Sequence, residues 1–130
     1  MKIVQQMESN TSHIIDGVSI IIPTYNRMSY LYSTLICLLN QKINRAISYE
    51  VIIIDSGNDN TCEMVKQIQE KQSISILYEK IQNSNNRSLL RNKGAEHAHY
   101  EILLFLDNDM LAPPDFVQRH YECHLHRELI

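Results

Sequence analysis

Four short apolar runs punctuate the chain. Val18-Ser19-Ile20-Ile21-Ile22 is closed by Pro23, Val51-Ile52-Ile53-Ile54 by Asp55-Ser56-Gly57, and Ile102-Leu103-Leu104-Phe105-Leu106 by Asp107-Asn108-Asp109. A weaker run is Ile74-Ser75-Ile76-Leu77-Tyr78. The first three are nearly continuous in apolar residues, the mark of strands covered on both faces in a parallel sheet. Between them the apolar positions take helical spacing. One stripe is Met28, Leu31, Leu35, Leu38 and Leu39, with Asn26 or Ser29 as candidate N-cap. A second is Thr61, Met64, Val65 and Ile68, with Asn58 or Asp59 as cap. Leu90, Gly94 and Ala98 form a third whose small residues permit close approach to the sheet. Phe116, Val117, His120, Tyr121 and His124 form a fourth after Pro113-Pro114-Asp115. The order β-α-β-α-β-α-β-α, with crossovers long enough for parallel connections, predicts an α/β fold with a mostly parallel sheet and flanking helices. Residues 1–17 are polar and aperiodic, and are expected to be a flexible lead-in, with ordered structure from Val18.

A chain of 130 residues, 44 % apolar, suits one compact domain with a sizeable core. A formal net charge of -3 argues against a nucleic-acid partner, whose footprint is basic. The three cysteines, Cys37, Cys62 and Cys123, are odd in number and far apart, so reduced thiols and no disulfide framework are expected. The N-terminus lacks an apolar signal core, and no apolar run is long enough to cross a bilayer. A cytoplasmic chain is expected, with peripheral attachment at a membrane through a partner left open.

In open α/β sheets ligands bind beyond the carboxyl ends of the strands. Thr24, Tyr25 and Asn26 follow the first run, Asp55 and Ser56 the second, and Asp107, Asn108 and Asp109 the last. These groups converge on one sheet edge. If the last strand stays extended, Asp107 and Asp109 face one spot with Asn108 turned aside. Two converging carboxylates suit a hard divalent cation, Mg²⁺ or Mn²⁺, that also takes phosphate oxygens. The bland alternative is a polar turn. Arg87-Ser88-Leu89-Leu90-Arg91-Asn92-Lys93-Gly94 opens a helix, where free N–H groups, Arg91 and Lys93 favour a diphosphate. A solvated basic helix face is the alternative and, on charge pattern alone, the better one. His120, Cys123, His124 and His126 have partial zinc spacing but no second Cys/His pair, so a packed helix face is the better reading there. His97 and His99 read as surface helix residues.

Together these blocks resemble family 2 glycosyltransferases of the GT-A, Rossmann-like type. Val18 to Arg27 is similar to that family's opening strand and turn, Leu35 to Gln41 to its first helix, which usually ends in Gln, and Glu50 to Gly57 to its second strand and acidic turn. Arg91-Asn92-Lys93-Gly94-Ala95 resembles its R-N-x-G segment, and Phe105 to Asp109 its D-x-D signature. The resemblance implies inverting transfer of a sugar from a nucleotide-diphosphate sugar, a UDP-sugar above the others, to a glycan, lipid-linked or protein acceptor, as in polysaccharide biosynthesis. It implies that Pro23, Thr24 and Tyr25 contact the nucleoside, with Asp55 and Ser56 beside the base and Arg91 at the diphosphate. Asp107 and Asn108 would lie near the ribose and sugar, and Asp109 would ligate Mn²⁺ or Mg²⁺, with Asp107 beside it.

Two features depart from the family. Ser56 stands where many members carry a second acid, which bears on nucleotide choice. Members also continue beyond the D-x-D segment into the acceptor site and general base, and neither Asp115, Glu122 nor Glu128 matches that base. Residues 18–130 are therefore expected to be a truncated donor-binding domain without its catalytic base, with exposed apolar surface that favours self-association. Binding of a nucleotide sugar without turnover is the alternative function. A sugar nucleotidyltransferase ranks lower, because the first turn lacks a Gly-rich loop. A phosphoacceptor receiver domain ranks lower still, because it gives the Arg91 block no role.

Overall fold

The computed structural model describes residues 17–128 except 45, 83 and 85, with side chains described as far as His124. The strands are β1 (Gly17–Thr24), β2 (Ser48–Asp55), β3 (Ser75–Lys80) and β4 (Ile102–Phe105). The helices are α1 (Met28–Leu39), α2 (Thr61–Lys71), α3 (Arg87–His97) and α4 (Phe116–Glu128). The element order is the expected alternation. All strand pairs are parallel, in the order β3-β2-β1-β4.

Side chains alternate across the sheet and divide the core in two. Val18, Ile20, Ile22, Val51 and Ile53 face α1, α2 and α4, meeting Leu31, Leu35, Leu38, Val65, Ile68 and Val117. Ile21, Ile52 and Ile54 face the other way, onto Leu90 and Ala98. Each fully buried aliphatic side chain stabilises the fold by about 1.5–3 kcal/mol. Both faces of β1 are buried along its whole length, which is why its apolar residues run without alternation. Gly94 permits the close approach of α3, since a Cβ there would lie 2.3 Å from Ile21 Cγ2.

Strand register sets the functional edge. β1 and β2 run in step from Gly17↔Ser48 to Thr24↔Asp55 and end together. β4 pairs only from Val18↔Ile102 to Ile21↔Phe105. The Leu106 N–H then donates to Ile21 O at 2.9 Å, so the following residues come level with the end of β1.

Several local expectations are corrected. Structure is already present at Gly17, β3 begins at Ser75, and β4 ends at Phe105, which is 48 % exposed because this edge strand is covered less fully than β1 and β2. Arg27 holds the N-cap position of α1 without a side-chain hydrogen bond, so neither Asn26 nor Ser29 caps it. Met28 is also on the exposed side. At α2 the cap position is Asn60, although the Asp59 carboxylate accepts from the Thr61 N–H at 3.2 Å and hydroxyl at 2.7 Å. His97 ends α3 and pairs with Glu79, whereas His99 lies beyond the helix. There the buried Glu50 takes the His99 N–H at 2.7 Å, the His99 ring at 2.8 Å and the Ser19 hydroxyl at 2.6 Å. No described helix is long and apolar enough to cross a membrane.

Candidate functional site

The strand order reverses between β1 and β4, and a cleft of about 410 Å³ opens at that switch point. Pro23, Thr24, Tyr25, Arg27, Ser56, Arg87, Leu90, Asp107, Asn108 and Asp109 line it. The cleft therefore gathers Pro23, Thr24, Tyr25, Ser56, Asp107, Asn108 and Asp109 from the sequence-predicted set. Asp55 and Arg91 do not line it.

The loops after β1 and β2 are tied together. The Ser56 N–H donates to Thr24 O at 3.0 Å, and the Asn58 N–H to Asn26 Oδ1 at 2.7 Å. Asn26 adopts a left-handed φ of 51°, a conformation asparagine tolerates better than most residues. Gly57 lies against it so closely that a Cβ would stand 2.4 Å from Asn26 Oδ1 and 2.5 Å from Asn26 N. Asn26 is thus unavailable as a helix cap because it joins the two loops.

Asp107 to Asp109 do not continue the strand. They form a turn closed by the Met110 N–H to Asp107 O at 3.3 Å. Asp107 and Asp109 share the cleft because the turn bends them into it, not because of strand alternation. Asn108 is not turned aside. Its Nδ2 donates to Thr24 Oγ1 at 3.0 Å, and its carbonyl accepts from the buried Thr34 hydroxyl at 3.0 Å. Further along, Gln41 Nε2 donates to Pro113 O at 2.7 Å, and Gln41 Oε1 accepts from the Val117 N–H at 2.9 Å. The segment that carries the acids is therefore held at Asn108, between them, by Thr34 of α1, and again beyond them, at Pro113 and Val117, by Gln41. The two carboxylates, open to solvent and to a roomy cleft, fit a hard cation that keeps waters and takes phosphate oxygens. Among the described residues no group of three or more His, Cys, Asp or Glu is placed to cage a metal.

Of the two cations that line the cleft, Arg27 and Arg87, the one paired with an acid of the cleft is Arg87. Its Nη1 lies 3.3 Å from Asp107 Oδ1, and both side chains are more than half exposed, so the pair is worth at most about 1 kcal/mol and opens readily. Arg91, one turn further along α3, is half-buried. The anticipated free N–H groups at the helix start are also partly used, because Asn86 Oδ1 caps Ser88 N at 3.0 Å and Leu89 N at 3.2 Å. Placing the N-cap at Asn86 would have singled out Arg87 as the first helical residue.

Asp55 is fully buried. Its Oδ1 accepts from the Gly57 N–H at 2.9 Å and its Oδ2 from the Tyr78 hydroxyl at 2.6 Å, with Lys80 Nζ 4.0 Å away. Burial first, then the Asp55 carboxylate, push the Tyr78 hydroxyl well above its ordinary value. A second cavity of about 450 Å³ adjoins, lined by Tyr25, Ser56, Gly57, Asn58, Lys80, Gln82 and Ser84.

The histidines of α4 lie away from this edge. The His120 ring packs on Phe116 at 4.6 Å, and burial, then His124, lower its pKa. His124 Nδ1 donates to His120 O at 2.8 Å, and the His126 side chain lies outside the described residues.

The model of the family described as "Glycosyl transferase family 2" matches residues 19–127. A chondroitin synthase of Escherichia coli is 40 % identical over 110 residues, covering 84 % of this chain and 16 % of that protein. Staphylococcus aureus TarS, solved with UDP-GlcNAc, superposes with a TM-score of 0.73 at 24 % identity, over 85 % of this chain and 31 % of that one. A mannosyltransferase from Pyrobaculum calidifontis, solved with GDP-Man and Mn²⁺, gives a TM-score of 0.69 at 22 % identity, over 88 % of this chain and 36 % of that one. The chain thus spans about a sixth of the synthase and about a third of each solved neighbour.

Proposed function

The chain belongs to glycosyl transferase family 2, and from that premise we propose that its cleft is the donor site of an inverting glycosyltransferase that uses a nucleoside-diphosphate sugar, a UDP-sugar first among them. The observation that carries this reading is the meeting of Pro23, Thr24, Tyr25 and Ser56 with Asp107, Asn108, Asp109 and Arg87 in one cleft at the switch point. The solved neighbours captured with UDP-GlcNAc and with GDP-Man and Mn²⁺ support a nucleotide-sugar donor and a divalent cation. The related chondroitin synthase supports a growing glycan as acceptor.

In the reaction the bond between the anomeric carbon and the diphosphate oxygen breaks, and a bond to the acceptor hydroxyl forms on the opposite face. The leaving group is anionic. Arg87 releases Asp107 and turns to the diphosphate, where a guanidinium forms paired hydrogen bonds. Asp109, with Asp107 beside it, would hold Mn²⁺ or Mg²⁺, whose charge would offset that of the diphosphate leaving group. Tyr25, 54 % exposed, offers its ring to the nucleoside, and Asn108 holds the floor of the cleft through Thr24.

The acceptor proton needs a base. Among the described residues the cleft contains no carboxylate besides Asp107 and Asp109. Asp115 pairs with Arg119 at 2.9 Å, and Glu122 accepts from Gln118 at 2.9 Å. That observation favours a second reading, in which these residues bind the donor without turning it over. Release of UDP from a panel of UDP-sugars with Mn²⁺ separates the two. Transfer or slow hydrolysis that is lost in Asp109→Ala supports the enzyme, whereas saturable binding without UDP release supports the binding module. Absence of both removes the proposal.

A further inference from the structure

Resting on the donor-site reading above, we infer that Lys80 selects the nucleobase, admitting bases with a carbonyl oxygen on their outer ring edge, such as uracil, over bases with an amino group there, such as cytosine. The second cavity is the natural continuation of the cleft, since the two share Tyr25 and Ser56. It lies at the ends of β2 and β3, on the side away from Asp107 and Asp109, so a diphosphate held at the acids directs its base there.

The acid nearest this cavity is withdrawn from it. Asp55 has no exposed surface, and its two oxygens already accept from the Gly57 N–H and the Tyr78 hydroxyl. The charged group that lines the cavity is Lys80, 35 % exposed, with its Nζ 4.0 Å from Asp55 Oδ2. The amides of Asn58 and Gln82 and the hydroxyls of Ser56 and Ser84 can each donate or accept, so they adapt to either base edge. An ammonium only donates. It satisfies a carbonyl oxygen and sets donor against donor at an exocyclic amine, so Lys80, kept near the buried Asp55 carboxylate, disfavours a base that presents an amine to it.

The test is equilibrium binding of UDP and of CDP, each with Mn²⁺, to the wild type, Lys80→Met and Lys80→Arg, with thermal midpoints recorded for each protein. The wild type is expected to prefer UDP by about tenfold or more. Lys80→Met should weaken UDP by about tenfold while CDP changes by less than about threefold, erasing the preference. Lys80→Arg, which keeps a donor-only cation, should retain it even if Lys80→Met proves unstable. Equal weakening of UDP and CDP would mean that Lys80 merely attracts the diphosphate, and would overturn the inference, as would an unchanged preference. A wild type that binds nucleotide with no preference refutes base selection alone. One that binds neither nucleotide overturns the donor-site reading and this inference with it.

Discussion

Thr34 sits in the middle of α1, where a threonine hydroxyl commonly returns to the carbonyl one turn back. Here it crosses to Asn108 O at 3.0 Å, at the centre of the turn that carries Asp107 and Asp109. Thr34→Val keeps the shape and removes the donor, leaving a carbonyl without its partner at a cost of about 1–3 kcal/mol. Binding of UDP should then demand more Mn²⁺, while Thr34→Ser restores the wild-type demand; a Mn²⁺ titration of UDP binding reads both. Residues of this kind are not visible in a local pattern, because the partners lie 74 positions apart. The paired acids were legible, but the reason for their convergence was not: strand alternation predicted it, and a turn delivers it. Arg91 stands out in the R-N-x-G segment and Arg87 belongs to no such motif, so only the packing of α3 against the sheet shows that Arg87 lines the cleft beside Arg27. Asp55 was legible as an acid at a strand end, yet its burial beneath Tyr78 depends on β3 pairing beside β2.

At the scale of elements, the strands were the clearest in the sequence, since burial on both faces writes itself as unbroken apolar runs. Helix caps were the least clear. Asn26 and Asp59 fit local capping rules equally well, but contact with Asn58 draws Asn26 into a loop junction while Asp59 stays at its helix. Gln41, two residues beyond α1, joins that helix to the start of α4 through Cys37 O, Pro113 O and Val117 N. The face of α4 contributes a pH dependence. Burial and then His124 hold His120 below the ordinary imidazole value near 6.5, so the folded chain takes up that proton less readily than the unfolded chain. Stability from this group is present above pH about 6.5 and declines as pH falls below it. Thermal midpoints between pH 7 and 5 should fall more steeply for the wild type than for His120→Phe, which keeps a ring against Phe116; equal slopes would assign the decline to other groups.

For the whole molecule, the four parallel strands and their reversal at β1 and β4 place three loops and one helix start around a single cleft. The sequence alternation carried the fold class, and the family match over residues 19–127 agrees with it. β4 stands at the edge of the described sheet with Phe105 exposed, which bears on self-association but leaves the donor cleft intact. The central claim is that this cleft binds a nucleoside diphosphate through a divalent cation on Asp109. The most direct measurement is the thermal midpoint with UDP, with and without Mn²⁺, for the wild type and Asp109→Ala. A ligand confined to the folded state adds about 2.7 kcal/mol at a hundredfold excess over Kd, on the order of 10 °C for a domain of this size. A rise that needs UDP and Mn²⁺ together and disappears in Asp109→Ala is the predicted result. An equal rise in Asp109→Ala, or none in the wild type, would contradict the account.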